Sequence, residues 1–426
     1  MYLPRNNPVS SKTMTLVYNC VGILFFGLAF VVLYTYLGYG LVAWLLVRIR
    51  GRTGIAEKRS QPMVSIPTRT DTLPMVTIVV PAYNERAYLS DKLQNCLDQD
   101  YPAERLQLLF VIEGSNDGSA EYLAGCQAEL PNLTVLSGSQ RLGKVAAMNR
   151  AMNDVKTPIT IFTDANTHLN PEAVSRLISR FNAPEVGAVT GEKRIRAAGT
   201  DTAAGSGEGL YWRYESFLKK LDAELHTIVG AAGELFAIRT ELYEPVETDT
   251  LLDDFIISLR IAGRGFRVAY APDAYALEHP SHSVAEEMKR KVRIATGGFQ
   301  AMKRLSYLLN VSRYGWLTFQ YVSHRVLRWA VTPFCLPMLV LLNVVMLTKP
   351  VSDTPGPWFW QVLFGLQLAF YATAGIGYIL ENRQTRWKLT FVPFYFVFMN
   401  WCVLLGFWRY GNGNISGIWE KARRAA

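Results

Sequence analysis

The sequence predicts an α/β domain with a mostly parallel sheet, flanked on both sides by transmembrane helices. Half of the 426 residues are hydrophobic and only 19% are charged, which is typical of a chain partly embedded in a membrane. Long uncharged runs lie towards both ends of the chain. In the middle, short apolar strands alternate with helical segments, and polar residues follow each strand. That alternation indicates a doubly wound parallel sheet.

Net charge and cysteine usage exclude two other classes of protein. The formal net charge is +9, but many cations adjoin apolar runs, where they set topology or contact anionic lipid. No basic arm with interleaved aromatics is present, so we expect membrane lipids and no nucleic acid as partners. The five cysteines lack CxxC spacing, which argues against a zinc site or a disulfide framework.

The first element is an uncharged run over residues 13–47, about 35 positions against the roughly 20 that cross a bilayer. It is too long for the apolar core of a signal peptide. We predict a transmembrane anchor within residues 1–50 and a linker over residues 51–72. More cations follow the run than precede it, so the positive-inside rule places the next domain in the cytoplasm, with the N-terminus outside.

Residues 73–280 carry the predicted α/β domain. Apolar strands over residues 76–80, 106–112 and 159–163 each run directly into polar residues. Because parallel strands end at the same edge of a sheet, these polar residues are expected to converge there. A helix is predicted to begin near Asp249 and to end at Gly263.

Asp164 and Asn166 follow the third of these strands, separated by one small residue. Two oxygen ligands at a strand end suit a hard divalent cation that bridges to phosphate oxygens. The alternative is that the aspartate caps the next helix, since such residues are common where a strand meets a turn.

The C-terminal part returns to the membrane. A basic, helix-prone stretch over residues 281–329 predicts amphipathic helices at the membrane surface. Uncharged runs within residues 330–380 predict two transmembrane helices. In residues 381–426, the run 389–408 either spans or lies in the interface before a basic tail. The positive-inside rule favours the interface, because both basic clusters then stay in the cytoplasm.

Five motifs in order support a resemblance to a known family. They are Pro81-Ala-Tyr-Asn-Glu85, Glu113-Gly-Ser-Asn-Asp-Gly-Ser119, Gly143-Lys144, Thr163-Asp-Ala-Asn166 and Leu252-Asp-Asp254. Over residues 73–300 the chain resembles the family 2 glycosyltransferases, which include the membrane synthases of cellulose, chitin, hyaluronan and poly-N-acetylglucosamine. The resemblance implies the GT-A fold, a Rossmann-like nucleotide-binding unit joined to an acceptor-binding half. It also implies a Mg²⁺ or Mn²⁺ cofactor and a nucleotide-sugar donor, with UDP as the expected nucleotide.

The resemblance also assigns roles to individual residues. The implied nucleotide contacts are Pro81, Tyr83, Glu85, Glu113, Asp117, Lys144 and Asp164. Asp164 and Asn166 match the motif that holds the metal and the diphosphate. Asp254 matches the general base of an inverting transfer. The implied acceptor side comprises Asp253, Arg290, Arg293 and Trp212.

Structural roles remain open for three of these residues. Tyr83 could pack in the core, Lys144 could be a solvated loop charge, and Asp254 could be an acid favoured by a helix N-terminus. Because successive helix residues point about 100° apart, only one of Asp253 and Asp254 can be the base.

The sequence departs from the family pattern at two places. Asn166 replaces a second acid, and Arg290-Lys-Val-Arg-Ile294 replaces the Gln-x-x-Arg-Trp motif of the processive synthases, so that only Arg293 fits. Without the tryptophan ring, a sugar-stacking surface is missing. Three functions therefore stay open: extension of a growing polysaccharide, a single transfer to a membrane lipid, and a non-catalytic scaffold that binds a nucleotide. With so few spans, we expect a homodimer or a partner export subunit.

Overall fold

The computed structural model describes residues 8–52, 73–195, 203–279, 283–349, 356–382, 387–413, 415 and 417. Most of the predicted linker and the basic tail after residue 417 lie outside these residues. The chain divides into two compact units, described separately below. The membrane unit comprises Met1–Leu41 and Ser323–Leu405, and the sheet unit comprises Val42–Val322 and Gly406–Ala426.

The described part of the sheet unit forms a mixed sheet of eight strands with the helices that cover it. The strands are β1 (Val76–Ala82), β2 (Leu106–Glu113), β3 (Leu133–Gly138), β4 (Ile159–Thr163), β5 (His168–Leu169), β6 (Val186–Ile195), β7 (Leu235–Arg239) and β8 (Arg267–Glu278). Their spatial order is β3-β2-β1-β4-β7-β6-β8-β5. Neighbours from β3 to β4 are parallel, and so are β6 and β8.

The helices alternate with these strands, as the sequence predicts. They are α3 (Arg86–Leu97), α4 (Ser119–Gln127), α5 (Lys144–Asp154), α6 (Ala173–Ile178), α7 (Ala203–Leu225), α8 (Asp253–Gly263) and α9 (Val284–Arg304), then α10 (Val311–Tyr314) and α11 (Trp316–Tyr321). β1 is apolar on both faces, and Val76, Ile78 and Val80 are fully buried in the main core. Such continuous burial is typical of a parallel strand covered on both sides.

β7, in the middle of the sheet, runs against both of its neighbours, and β5 at one edge runs against β8. β7 is antiparallel to both β4 and β6, and Leu235 at its start pairs with Thr163 at the end of β4. The residues that precede β7 therefore lie at the same edge as the polar residues that follow β4. Residues that precede a strand, as well as those that follow one, can thus reach this edge.

Among the described residues, four helices are long and apolar enough to cross a membrane: Thr13–Arg50, Trp316–Met346, Pro357–Glu381 and Leu389–Gly411. They correspond to the four apolar runs of the sequence. The first contains α1 (Pro8–Leu33) and α2 (Tyr39–Arg52), joined by a π-helical turn, and the last two are α13 (Pro357–Asn382) and α14 (Lys388–Gly411). In the membrane unit, Tyr18, Phe25, Met346 and Trp360 form an apolar cluster.

One boundary differs from the sequence analysis. A break was expected near residue 330, between a surface helix and a span. Instead, α11, a π-helical segment over Val322–Val331 and α12 (Thr332–Met346) follow one another without interruption. The basic residues Arg325 and Arg328 are therefore placed within a helix that continues into an apolar run.

Candidate active site

Lys144 connects two carboxylates that lie 89 positions apart in the chain. Its ammonium nitrogen Nζ is 2.8 Å from Oδ1 of Asp164 and 3.4 Å from Oδ2 of Asp253. Lys144 begins α5 directly after Gly143, whose φ of 93° favours glycine. Burial alone would lower the pKa of Lys144, but the carboxylates of Asp164 and Asp253 outweigh it and raise that pKa. Lys144 is therefore mostly buried and paired with two carboxylates, an arrangement that favours the predicted site role over a solvated loop charge.

Asp164 lies where β4 ends, and hydrogen bonds hold the turn behind it. Its carbonyl accepts from the hydroxyl of Thr167 at 2.9 Å. The buried ammonium of Lys92 donates to Thr163 Oγ1 and to the carbonyl of Thr167, each at 2.9 Å. Burial raises the pKa of the Asp164 carboxyl, and the nearby ammonium of Lys144 opposes that shift. The Asp164 side chain remains 21% exposed, so a ligand can reach it.

Asp253 and Asp254 form the first turn of α8. A Cβ atom at Gly233 would lie 3.3 Å from both Cγ and Oδ2 of Asp254, so the glycine allows a close approach to this carboxylate. Burial and the charge of Asp253 raise the pKa of Asp254 to about 7, against the opposing charge of Lys144. A carboxyl group with a pKa near neutrality has the property required of a general base.

Arg293 of α9 lies near the same carboxylates, as the resemblance implies. Burial lowers the pKa of its guanidinium, and the charges of Asp253 and Asp164 act in the opposite direction. Arg290 is engaged differently: its guanidinium is 3.1 Å from Glu287 and 3.8 Å from Glu278. Trp212 lies in α7, but its side chain is outside the described residues.

The loops after β1 and β2 are joined to each other. Asn84, whose φ is 53°, donates its backbone N–H to Ser115 Oγ at 3.0 Å and its side-chain amide to Asn116. Asp117 accepts from the N–H of Arg86 at 2.9 Å and also from the hydroxyl of Ser119. Although burial opposes it, these bonds lower the pKa of Asp117. Asp117 thus fixes the loop that was predicted to contact the nucleotide.

The remaining predicted nucleotide contacts lie along this edge. The guanidinium of Arg141 is 3.9 Å from the centre of the Tyr83 ring. Glu85 ends the β1 loop, and its carbonyl accepts the N–H of Tyr88 at 2.8 Å. Glu113 ends β2, where its buried carboxylate accepts from the guanidinium of Arg150 at 3.0 Å.

Pro81 lies near the end of β1 and pairs with Val111 of β2. Asn166 lies in the turn after Asp164 and is partly exposed. Both positions are at the carboxyl edge of the parallel strands, where the sequence analysis expected them.

Known proteins with similar sequences identify the family. A sequence model described as Glycosyltransferase like family 2 matches residues 74–297, which is more than half of the chain. The chain belongs to this family. The glycosyltransferase is 25% identical, over 55% of its length, to a poly-beta-1,6-N-acetyl-D-glucosamine synthase of Staphylococcus aureus, and the match spans 57% of that synthase. It is 26% identical, over 54% of its length, to the glycosyltransferase AglE of Haloferax volcanii, with 75% of AglE matched.

A solved structure confirms the GT-A fold of this glycosyltransferase. The mannosyltransferase PcManGT from Pyrobaculum calidifontis, in complex with GDP-Man and Mn²⁺, superposes with a TM-score of 0.68. The match covers 92% of this chain and 98% of that protein at 20% sequence identity.

Sequence reasoning missed one residue of the site, Glu234. It directly precedes β7, and its carbonyl accepts a hydrogen bond from Thr163 Oγ1 at 3.0 Å, next to Asp164. Its carboxylate accepts from the buried ammonium of Lys193 at 2.7 Å. The Gly230-Ala-Ala-Gly233 run before it marks a turn, but only the antiparallel pairing of β7 with β4 brings Glu234 to this edge.

Proposed function

We propose that this membrane glycosyltransferase is an inverting, metal-dependent enzyme that uses a nucleotide-sugar donor to extend a glycan through β-linkages. The observation that carries the proposal is the bridge that Lys144 makes between Asp164 and Asp253, with Asp254 adjacent. It brings the proposed donor-side and acceptor-side carboxylates into one cluster. A non-catalytic scaffold would not require a second carboxylate with a pKa near neutrality opposite the first.

In the proposed reaction, an acceptor hydroxyl attacks the anomeric carbon from the face opposite the diphosphate. Asp254 takes the hydroxyl proton as the new carbon–oxygen bond forms and the bond to the diphosphate breaks. The nucleoside diphosphate leaves with the bonding electrons, and Lys144 offsets part of its negative charge. One displacement inverts the configuration, so an α-linked donor yields a β-linkage.

The residues at Asp164 fit a cation that is shared with the substrate. Among the described residues, no group of three or more histidine, cysteine or acidic side chains could hold a metal ion. Mg²⁺, however, commonly uses one or two carboxylates and takes its other ligands from water and substrate phosphates. We propose that Asp164 and Asn166 hold Mg²⁺ or Mn²⁺, which neutralises the leaving diphosphate when bound.

Asn166 gives a direct test of this ligand assignment. Asn166→Asp adds a negative charge beside Asp164 and should tighten the metal. We expect the Mn²⁺ concentration for half-maximal activity to fall by about tenfold, which corresponds to one charge-assisted contact. Mn²⁺ titration of the variant and the wild type measures this shift. An unchanged midpoint would remove Asn166 from the ligand set.

The proposed donor is a UDP-linked sugar, with Glu113 facing the base. The Staphylococcus aureus relative is named for a polymer of N-acetyl-D-glucosamine, which supports a UDP-linked amino sugar. The structural neighbour was solved with GDP-Man, which makes a GDP-linked hexose the competing donor. Incubating membranes with radiolabelled UDP-N-acetylglucosamine or GDP-mannose, with Asp254→Asn membranes as the control, tests the choice.

A single transfer to a membrane lipid is the second candidate. It is favoured because Ile294 stands where the processive synthases have tryptophan, and because Arg290 is paired with Glu287 and Glu278. Long, insoluble labelled product would support the polymerase, and a solvent-extractable lipid product would support the single transfer. If no labelled product depends on Asp254, the polymerase and the single transfer are both contradicted.

We also propose a membrane topology in which α14 does not cross. Arg50, at the end of the first apolar helix, donates to the carbonyl of Leu225, and its guanidinium is 4.3 Å from the Trp316 ring. Near the end of α14, the rings of Phe407 and Phe299 are 5.2 Å apart. Because Trp316 and Phe407 both pack within the sheet unit, the chain between them crosses an even number of times.

Two crossings, by Trp316–Met346 and Pro357–Glu381, leave Leu389–Gly411 in the interface and the sheet unit in the cytoplasm. We expect Asn412→Cys to react with a membrane-impermeant maleimide only after cells are permeabilised. Ser352→Cys should react in intact cells, and the wild type gives the background. Labelling of Asn412→Cys in intact cells would contradict this topology.

Three crossings in total are few for a sugar channel enclosed by one chain. We therefore propose that a second copy or a partner subunit completes the export path when the product is a polymer. Product secretion into proteoliposomes that contain only monomeric chain would contradict this proposal.

A further inference from the structure

The segment Gly233–Glu234 lies between the two proposed reaction-centre carboxylates. The carbonyl of Glu234 accepts from Thr163, the residue before Asp164. A Cβ atom at Gly233 would lie 3.3 Å from the carboxylate of Asp254. The backbone that carries the Glu234 side chain is therefore hydrogen-bonded next to Asp164 and passes close to Asp254.

One oxygen of the Glu234 carboxylate is anchored, and the side chain remains accessible. Oε1 accepts from Lys193 at 2.7 Å, while the side chain as a whole is 19% exposed. Within the described part of the chain, Oε2 has no hydrogen-bond partner. Burial alone would raise the pKa of Glu234, but the ammonium of Lys193 outweighs burial and lowers it. Glu234 therefore presents an ionised carboxylate with an available acceptor oxygen.

Glu234 is one of two carboxylates that pair with Lys193. Lys193 is completely buried and also pairs with the buried carboxylate of Glu278. The charge of Glu234 also lies close to Asp164 and Asp254. Placing like charges together is unfavourable, and such clusters occur mostly at functional sites.

We propose that Glu234 binds a hydroxyl group of the sugar at the reaction centre and helps to select that sugar. This inference rests on the proposed sugar transfer. An ionised carboxylate forms a strong hydrogen bond with a hydroxyl donor, and Lys193 holds it in a fixed orientation. The hydroxyl belongs either to the transferred sugar or to the acceptor sugar, since both must meet between Asp164 and Asp254.

Steady-state kinetics of Glu234→Gln distinguish the two sources. We expect about a tenfold rise in one KM, the loss expected for one hydrogen bond to a charged group. A rise for the nucleotide sugar alone identifies the transferred sugar, and a rise for the acceptor alone identifies the acceptor sugar. The Kd of the nucleoside diphosphate without sugar should not change.

A set of deoxy sugars sharpens the test. With the wild type, the analogue that lacks the contacted hydroxyl should have a KM about tenfold higher than that of the normal sugar. Glu234→Gln should not raise the KM for that analogue any further. Glu234→Asp keeps the charge with a shorter reach and controls for folding, with its melting temperature measured alongside. Glu278→Gln is the structural control for the Lys193 ion pair, since it removes another carboxylate partner of Lys193, and it should leave the response to the deoxy analogue unchanged.

Two different results separate this inference from the proposed function. Transfer by the wild type establishes the function whatever the role of Glu234. Wild-type transfer combined with unchanged KM values in Glu234→Gln overturns the inference alone. An equal loss of nucleoside diphosphate affinity would also overturn it, because that would indicate a general disturbance of the site.

Discussion

Asp254→Asn is expected to lower the rate of sugar transfer by about 10²–10⁴-fold, the usual contribution of a positioned general base. The amide keeps the shape of the side chain but cannot take the acceptor proton. Because we propose that Asp254 acts on the acceptor hydroxyl, the KM for the nucleotide sugar should change little. Initial rates with labelled donor in detergent or nanodiscs measure both quantities, and the melting temperature checks the fold.

Asp253→Asn is the matched control for this prediction. Asp253 is adjacent in the chain, but its carboxylate lies 3.4 Å from the Lys144 ammonium. Removing the Asp253 charge should weaken the ion pair that positions Lys144 and so raise the KM for the donor, with a smaller effect on kcat. If Asp253→Asn instead abolished turnover while Asp254→Asn remained active, the base would be Asp253.

The pH dependence of kcat/KM should report the ionisation of Asp254. A base acts only when ionised, and the pKa of Asp254 is raised to about 7. The value of kcat/KM should therefore rise with increasing pH and reach half its plateau at about pH 7. Removing the negative charge of Asp253 should move this midpoint to lower pH, and Lys144→Met should move it to higher pH. A midpoint below about pH 5 would contradict the assignment, since an unperturbed aspartate titrates there.

The sequence was sufficient to predict the parallel half of the sheet and the residues at its edge. Three apolar strands lead directly into Pro81, Glu113 and Asp164, and parallel pairing places their ends together. α8 ends at the predicted Gly263, but it begins at Asp253 and not near Asp249, because a helix N-terminus favours the pair of acids with which it starts. These features depend on local patterns that a single chain segment carries.

Features that depend on tertiary pairing could not be read in this way. Nothing in residues 235–239 indicates that β7 runs antiparallel to β4, and this reversal brings Glu234 into the site. The contacts of Lys144 join three separate segments, so its role stayed open between a site residue and a loop charge. Arg290 was assigned to the acceptor side by its motif position, yet its observed partners are Glu287 and Glu278.

Asp164→Asn should also have a large effect, on donor binding and metal response together. A bound cation contributes several kcal/mol to stabilising the leaving group, so we expect a loss of at least about a hundredfold in kcat/KM. Activity of the variant should no longer increase with added Mn²⁺. Titrating Mn²⁺ into wild type and variant, with Asn166→Asp in parallel, measures the response. Isothermal titration calorimetry with the nucleoside diphosphate measures the affinity for the nucleotide part of the donor separately.

Asp164→Asn also removes a partner of Lys144, and that effect needs its own control. The ammonium lies 2.8 Å from the Asp164 carboxylate, so its position depends partly on this ion pair. Lys144→Met removes the ammonium but keeps the proposed metal ligand, and it should weaken donor binding while preserving the Mn²⁺ response. If chelation left the wild type fully active and Lys144→Met were the more damaging change, Lys144 would supply the positive charge at the diphosphate. In that case Asp164 would serve to orient the lysine, and the metal assignment would be wrong.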